Sequence, residues 1–580
     1  MDLERLATVA AAWAGGDPDP KTAAEVRALI AAKDVAALED RFGASLEFGT
    51  AGLRGVLGGG TNRMNLAVVR RTSAGLARYL KAQVPDVAKR GVVIGRDGRH
   101  MSLEFARETA LVFAAEGVPA HVFAGVSPTP VTAFALTSLG AAAAVMVTAS
   151  HNPPEYNGYK VYWGNGAQIV PPHDLGIAAA IDAVGPANTV ALLDEATARS
   201  KGLWVDVPAA VERQYLDAIL ALRPTKQAGD LSIVYTAMHG VGGRWVLAAL
   251  QEAGFTRVAP VPQQQEPDGD FPTVRFPNPE EKGAMDLSTA LAEQLQADVV
   301  LANDPDADRL AVMARDAKGA LRMLTGNEVG VLLGHYMLTQ VPTPHALVIT
   351  TIVSSVQLKA IAAAKGARFE ETLTGFKWIA NRALELLPEG ARFVMGYEEA
   401  LGYTVGTVVR DKDGVGAALV LADMAAWCKA RGTTLLGYLE EIQREHGLFV
   451  ASQFNATLKG TSGAAQIRAL MEAFRARPIE RIGAMTISAA NDYQAQVRVT
   501  GGVSSKLTLP KSNVLAWELA GGSRVTLRPS GTEPKIKVYF EWREALQPGE
   551  AMATAKARAA QQLGALEQAF LTLAKERGLP

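Results

Sequence analysis

Three times along this chain a strand–helix–strand rhythm ends in a polar loop, and that recurrence limits the fold more than any other feature. In the first unit a short apolar strand at 91–95 precedes an amphipathic helix at 103–116 and a strand at 118–123. A further strand at 143–148 then runs into Ala149-Ser150-His151-Asn152-Pro153. The second unit has a strand at 232–235, a helix at 244–253 and a strand at 257–261. Its late strand, 298–302, opens into Asn303-Asp304-Pro305-Asp306-Ala307-Asp308-Arg309. The third has a strand at 347–350, a helix at 354–365 and strands at 368–371 and 392–395, the last leading to Gly396-Tyr397-Glu398-Glu399-Ala400. Alternating strands and helices predict α/β layers, and such layers gather ligands beyond the C-terminal strand ends, where all three loops fall.

The tail breaks the pattern. Strand-like stretches at 448–455, 484–487, 525–528 and 536–542 precede a helix rich in Ala, Leu and Gln at 550–576, which predicts a separate α+β domain. Residues 1–43 read as a helical N-terminal extension with no functional reading attached. The expected fold is therefore α/β with four domains. Three similar α/β sandwich domains cover 44–212, 213–322 and 323–449, and the C-terminal α+β domain covers 450–580. A length of 580 residues agrees, at about 150 residues per domain.

Bulk properties exclude several classes. Apolar residues make up 48% and charged residues 20%, the range of globular proteins, and the formal net charge of −1 leaves no global field for nucleic acid or an anionic membrane. An anionic ligand must be gripped by local donors. The single cysteine, Cys428, excludes an internal disulfide framework and a cysteine-built metal site, which suits a reducing cytoplasm. Asp2 and Glu4 stand where a secretory signal would be basic. The uncharged stretch 117–154 is long enough to span a membrane, but Pro119, Pro128 and Pro130 interrupt it and its second half is mostly small residues. A buried helix and strand explain it better.

The loops carry the chemistry. Ser150 follows a strand and precedes the turn residues Asn152-Pro153-Pro154; its hydroxyl is a weak nucleophile until it is activated or already phosphorylated. His151 and Lys160 can donate to phosphate oxygens, yet alone this loop reads equally well as a plain turn. Asp304, Asp306 and Asp308 repel one another unless a cation or basic partner neutralises them, and all-oxygen ligation selects a hard ion, Mg²⁺ in a phosphoryl-transfer setting. An EF-hand fails, since its sixth position is Arg309 and its twelfth Arg315; a solvated acidic turn stays open. Glu398 and Glu399 can accept hydrogen bonds from two sugar hydroxyls, though surface glutamate pairs are common and the pair alone proves little. Arg528-Pro529-Ser530-Gly531-Thr532-Glu533-Pro534-Lys535 reads either as an anion-binding nest with Arg528 as a bidentate clamp or as a tight turn.

Taken in order, Gly49-Thr50-Ala51-Gly52-Leu53-Arg54-Gly55, Thr148-Ala149-Ser150-His151-Asn152-Pro153, Asp304–Arg309, Glu398-Glu399-Ala400 and Arg528–Lys535 resemble the α-D-phosphohexomutase superfamily from about Phe48 onward. The resemblance implies four domains around a central cleft. It also implies a phosphoserine at Ser150, and Mg²⁺ held by Asp304, Asp306 and Asp308 with an oxygen of the Ser150 phosphate. Arg54, His151 and Lys160 would lie beside the transferring group, and Arg309, Lys377 and Glu398 would contact substrate. Arg528, Ser530, Gly531 and Thr532 would hold the phosphate that is not reacting. Thr374-Gly375-Phe376-Lys377 and Arg410-Asp411-Lys412-Asp413-Gly414 match family segments as well.

The implied activity is a phosphoglucomutase in the cytoplasm, working through glucose 1,6-bisphosphate as intermediate and activator and also taking mannose phosphate. Its ligands are small sugar phosphates, with no nucleic-acid or membrane partner. Ala400 stands where many hexose mutases carry the serine of Glu-x-Ser, and the motif forms resemble the longer branch of the superfamily. That leaves phosphopentomutase as the alternative, followed by a glucose-1,6-bisphosphate synthase or an inactive sugar-phosphate-binding protein.

Overall fold

In this computed structural model, residues 3–48, 52–458, 463–530 and 535–579 are described. They form two compact units, Met1–Val329 with Gly375–Leu435, and Gly330–Thr374 with Leu436–Pro580.

The first unit starts with three helices, Leu3–Gly16, Pro20–Ala32 and Val35–Phe42. Asp19 caps the second by accepting from the Lys21 amide, with Pro20 at its first position, and Asp34 caps the third through the Ala37 amide. Leu6, Ala10, Val26, Leu38 and Phe42 give them a small core of their own. The extension also grips the chain ahead. Glu25 accepts the Gly59 amide at 2.9 Å, and Arg41 pairs with Glu25 at 2.7 Å while donating to the Gly59 carbonyl at 3.0 Å.

The first sheet runs in the order Leu53–Val56, Tyr156–Trp163, Ala143–Val147, Val92–Arg96, Ala120–Val122, Trp204–Asp206. Its last four strands are parallel, and the other two add an antiparallel edge. The strand Tyr156–Trp163 adds to the sequence reading, which assigns no element to the segment around Lys160. Both faces of this strand are buried, so its polar residues follow no alternation that would mark a strand. Helices Leu66–Gln83 and Ser102–Ala115 pack on the sheet around Val92, Ile94, Phe105, Phe113 and Tyr159.

The second sheet orders Leu321–Met323, Ala311–Arg315, Val299–Ala302, Ser232–Thr236, Arg257–Pro260, again a parallel centre with an antiparallel edge. The same unit contains the hairpin Arg392–Glu398 and Gly402–Val405, which carries Glu398 at its turn. No helix among the described residues is long and apolar enough to cross a membrane.

In the second unit Ala346–Thr351 pairs in parallel with Arg368–Thr372. A mostly antiparallel sheet follows, whose longest ladder joins Leu448–Thr457 to Lys535–Glu544. Helices Gly463–Ala476 and Met552–Lys575 cover it, with Phe474, Trp517, Phe540 and Phe570 forming an aromatic core. Strands capped by a final helix agree with the α+β tail read from the sequence.

Candidate active site

Ser150 sits just past the strand Ala143–Val147 with φ 53°, a left-handed conformation that an L-residue holds only when its surroundings impose it. Those surroundings are specific. The Ser150 amide donates to Thr148 Oγ1 at 2.8 Å, and its carbonyl accepts from Arg99 Nη2 at 2.6 Å. The Arg99 guanidinium also donates to the carbonyls of Asn152, Pro153 (2.8 Å) and Tyr156 (3.2 Å), so one buried side chain gathers the whole loop. Asp97, fully buried, approaches Arg99 Nε at 3.4 Å and accepts from Ser102 Oγ at 2.7 Å and from the Arg99 amide at 3.0 Å.

The Ser150 hydroxyl donates to Asp304 Oδ2 at 2.9 Å and lies 3.2 Å from His151 Nδ1. Asp304 begins the loop after strand Val299–Ala302. Ala307 turns that loop with φ 55°, and the Arg309 amide donates back to Asp304 Oδ1 at 3.0 Å. Asn303 holds the loop by donating to the Arg309 carbonyl at 2.6 Å and accepting from Tyr235 Oη at 2.9 Å. Gly414 is packed against it, where a Cβ would meet the Arg309 carbonyl at 2.3 Å. The glycine lets the segment bearing Lys412 come this close.

All three aspartates are buried, and one oxygen from each lies within 4.8 Å of the others. Lys160 Nζ binds Asp306 Oδ2 at 2.7 Å and Asp308 Oδ2 at 2.9 Å, while Lys412 Nζ lies 3.2 Å from the same Asp308 oxygen. Thr129 Oγ1 donates to Asp306 Oδ2 at 2.6 Å. Burial and the two neighbouring carboxylates push Asp304 well above the ordinary carboxylate range. Asp308 is buried as well, yet Lys160, Lys412 and Arg309 hold it below that range. The remaining oxygens, Asp306 Oδ1 and Asp308 Oδ1, are buried without any hydrogen-bond partner. Unsatisfied anionic oxygens beside a third carboxylate fit a bound divalent cation and are costly without one.

Further cations line this centre. Arg54, on the strand Leu53–Val56, donates to Asn152 Oδ1 at 2.9 Å and feels the fields of Asp306, Asp308 and Asp304. Gly52 (φ 80°) admits that strand beside Tyr159, whose carbonyl would lie 2.0 Å from a Cβ. Burial lowers the His151 pKa well below its usual value, helped by Arg309 and Arg54, so the ring is neutral. Glu398, buried, accepts the Gly375 amide at 2.7 Å; burial raises its pKa and the nearby Lys412 partly offsets the rise.

The structure thus brings Ser150, His151, Arg54, Lys160, Asp304, Asp306, Asp308, Arg309 and Glu398 into one polar network within the first unit. Lys377 belongs to the same unit but stands apart, buried with its ammonium 5.2 Å over the Trp378 ring. Burial lowers its pKa. Arg528 and Ser530 belong to the second unit. Arg528, half-buried, is the last residue but one of the strand Arg524–Pro529, and the Ser530 amide donates to the Lys535 carbonyl at 2.7 Å. Gly531 and Thr532 lie outside the described residues, as do Gly49, Thr50 and Ala51.

Sequence reasoning gave no role to Thr129, Lys412, Arg99 or Thr148. Lys412 stands in a segment singled out for its resemblance, so a signal existed. Thr129 meets Asp306 across 177 residues, and nothing local marks it.

Comparison with known proteins agrees with this architecture. Four profiles described as "Phosphoglucomutase/phosphomannomutase" match in order: alpha/beta/alpha domains I, II and III at 45–187, 213–319 and 325–445, and the C-terminal domain at 465–552. Mouse phosphopentomutase is 39% identical over 93% of this chain and 90% of its own. Human glucose 1,6-bisphosphate synthase is 37% identical over the same shares. The open form of Paramecium phosphoglucomutase (parafusin) superposes with TM-score 0.65 at 19% identity, covering 92% of this chain and 96% of that one, a likeness of fold.

Proposed function

This chain belongs to the phosphoglucomutase/phosphomannomutase family, and from that membership we propose that it is a Mg²⁺-dependent mutase that shuttles a phosphoryl group between sugar hydroxyls through Ser150. The observation that carries this reading is the Ser150 hydroxyl 2.9 Å from Asp304, inside a buried cluster of three aspartates with two oxygens that accept no hydrogen bond.

In the forward half-reaction the P–O bond of phosphoserine breaks and a P–O bond forms to the free hydroxyl of the sugar monophosphate, which loses its proton. The resulting bisphosphate turns end for end, and the Ser150 hydroxyl then takes the other phosphoryl group and yields its own proton. Asp304, Asp306 and Asp308 would hold Mg²⁺, which supplies positive charge to the transferring group. Arg54, Lys160, Lys412 and Arg309 add fixed positive charge around Ser150, preorganised in a buried site. Lys160 is bound to two carboxylates that raise its pKa against the effect of burial, so it serves as a charge rather than a base. The neutral His151 ring, with Nδ1 3.2 Å from Ser150 Oγ, suits the proton-handling role there.

Glu398 is assigned to sugar hydroxyls, and Arg528, Ser530, Gly531 and Thr532 to the non-reacting phosphate. Lys377 and Arg309 complete the substrate contacts. The leading substrate pair is glucose 1-phosphate and glucose 6-phosphate, through glucose 1,6-bisphosphate, with mannose phosphate also accepted. A pentose reading, ribose 1-phosphate to ribose 5-phosphate, is favoured by the 39% identity to mouse phosphopentomutase and by Ala400 in the sugar loop. Net synthesis of glucose 1,6-bisphosphate from another phosphoryl donor is the third reading, on the likeness to the human synthase.

Steady-state rates with glucose 1-phosphate, mannose 1-phosphate and ribose 1-phosphate decide among these. The highest kcat/KM on glucose 1-phosphate supports the leading reading, and the highest on ribose 1-phosphate replaces it with the second. No turnover of any of them sinks the mutase.

A further inference from the structure

Within the second unit, which takes helix Gly326–Gln340 from Gly330 onward and helix Leu435–His446 from Leu436 onward, the two helices meet through a pair of histidines. His335 and His446 are 5% and 7% exposed, with ring centroids 5.2 Å apart, and Glu445 Oε1 lies 3.3 Å from His446 Nε2. One ligating atom of each of His335, Glu445 and His446 lies within 4.8 Å of the others. Both Nε2 atoms are buried with no hydrogen-bond partner. Two unsatisfied imidazole nitrogens beside a carboxylate are a costly arrangement for a core and a ready one for a metal.

We propose that His335, Glu445 and His446 form a second metal site, one that takes a borderline transition ion such as Zn²⁺ at the C-terminal end of helix Leu435–His446.

The ligand chemistry sets this site apart from the aspartate triad. Three carboxylates suit a hard ion, whereas two imidazoles and one carboxylate suit Zn²⁺, Co²⁺ or Ni²⁺. The His335 Nδ1 is hydrogen-bonded to Tyr438 Oη at 2.7 Å. With the proton on Nδ1, this bond fixes the ring and turns the lone pair of Nε2 outward, the usual support behind a metal-bound imidazole. His446 is the last residue of its helix, where the dipole favours a cation.

Two adjustments accompany binding. Lys365 Nζ, 4.0 Å from Glu445 Oε1, neutralises that carboxylate in the metal-free site and must swing into solvent. Ligand atoms of a tetrahedral Zn²⁺ stand about 3.4 Å apart at Zn–N distances near 2.1 Å. The Glu445 side chain, 58% exposed, is free to move inward to meet that spacing, and the same open side admits the ion and a water ligand.

The test is calorimetric titration of Zn²⁺ into the full-length protein, stripped with chelator and then saturated with Mg²⁺. One Zn²⁺ per chain should bind, and Glu445→Gln and His446→Gln should each weaken it by about tenfold or more. Asp306→Asn should bind Zn²⁺ as wild type does. Because Glu445 is exposed, its variant tests the site with the fold intact. The proposal is overturned if the Mg²⁺-saturated protein takes up no Zn²⁺, or if both site variants bind it unchanged. Loss of the Zn²⁺ in Asp306→Asn alone would also overturn it, by assigning the ion to the triad.

Discussion

Arg99 offers a sharp test of how the Ser150 loop is held. Arg99 is 4% exposed, and its guanidinium bridges Asp97 and reaches carbonyls at Ser150, Asn152, Pro153 and Tyr156. Arg99→Ala leaves Asp97 buried with Ser102, Thr148 and backbone amide partners but no cation, and strips the loop of its shared donor. Removing one partner of a buried ion pair costs about 3–5 kcal/mol, and water entering the vacated space recovers part of that for the carbonyls. The left-handed Ser150 backbone then loses its restraint. A displacement of about 1 Å at a reacting group costs about 100-fold in rate. The expected result is destabilisation of about 3 kcal/mol by urea denaturation and a kcat about 100-fold lower. KM for the sugar phosphate should stay near wild type, since Arg99 touches backbone and not ligand. Arg99→Lys keeps the charge facing Asp97 but not the planar fork, and should recover stability more than kcat. A folded Arg99→Ala enzyme with kcat within twofold of wild type would refute this reasoning.

Exhaustive chelation should abolish activity and Mg²⁺ restore it, and Asp306→Asn should weaken both metal binding and rate; undiminished turnover after chelation would reduce the triad to a charge cluster. Arg528→Ala should lower kcat/KM by a similar factor, worth about 2–4 kcal/mol, for glucose, mannose and ribose phosphates. Glu398→Gln should instead change their ranking, and the opposite pattern on three-substrate kinetics would reverse the two assignments. Burial raises the Asp413 pKa from 3.8 to about 6, outweighing hydrogen bonds from Gly416 and Tyr215. Its folded pKa exceeds the unfolded one, so its contribution to stability is full below pH 3.8 and is lost as pH rises through 6. Asn accepts the same bonds at Oδ1, so Asp413→Asn should remove about 3 kcal/mol of pH dependence across that window, and parallel denaturation curves at both pH values would disprove it.

The legible parts of the fold were those written in local pattern. An apolar run closed by Gly95 marked Val92–Arg96, and an apolar run opening into Asn303-Asp304 marked Val299–Ala302. Tyr156–Trp163 was not legible as a strand, because Lys160 and Asn157 are buried by partners far away in sequence. The same distinction divides the site. Ser150 and the three aspartates stand in short motifs with chemistry in their spacing. Thr129, Arg99 and Lys412 act through contacts between segments about 50 to 180 residues apart, which no window of sequence displays.

The central claim is that the phosphoryl group travels through Ser150. Its most direct measurement is intact-protein and peptide mass spectrometry on the enzyme as purified and after incubation with glucose 1,6-bisphosphate, with Ser150→Ala measured alongside. The account predicts one phosphoryl group, mapped to Ser150, rising in occupancy with the bisphosphate and absent from a folded, inactive Ser150→Ala protein. A phosphoryl group mapped to another residue, or full mutase turnover by Ser150→Ala, would contradict it.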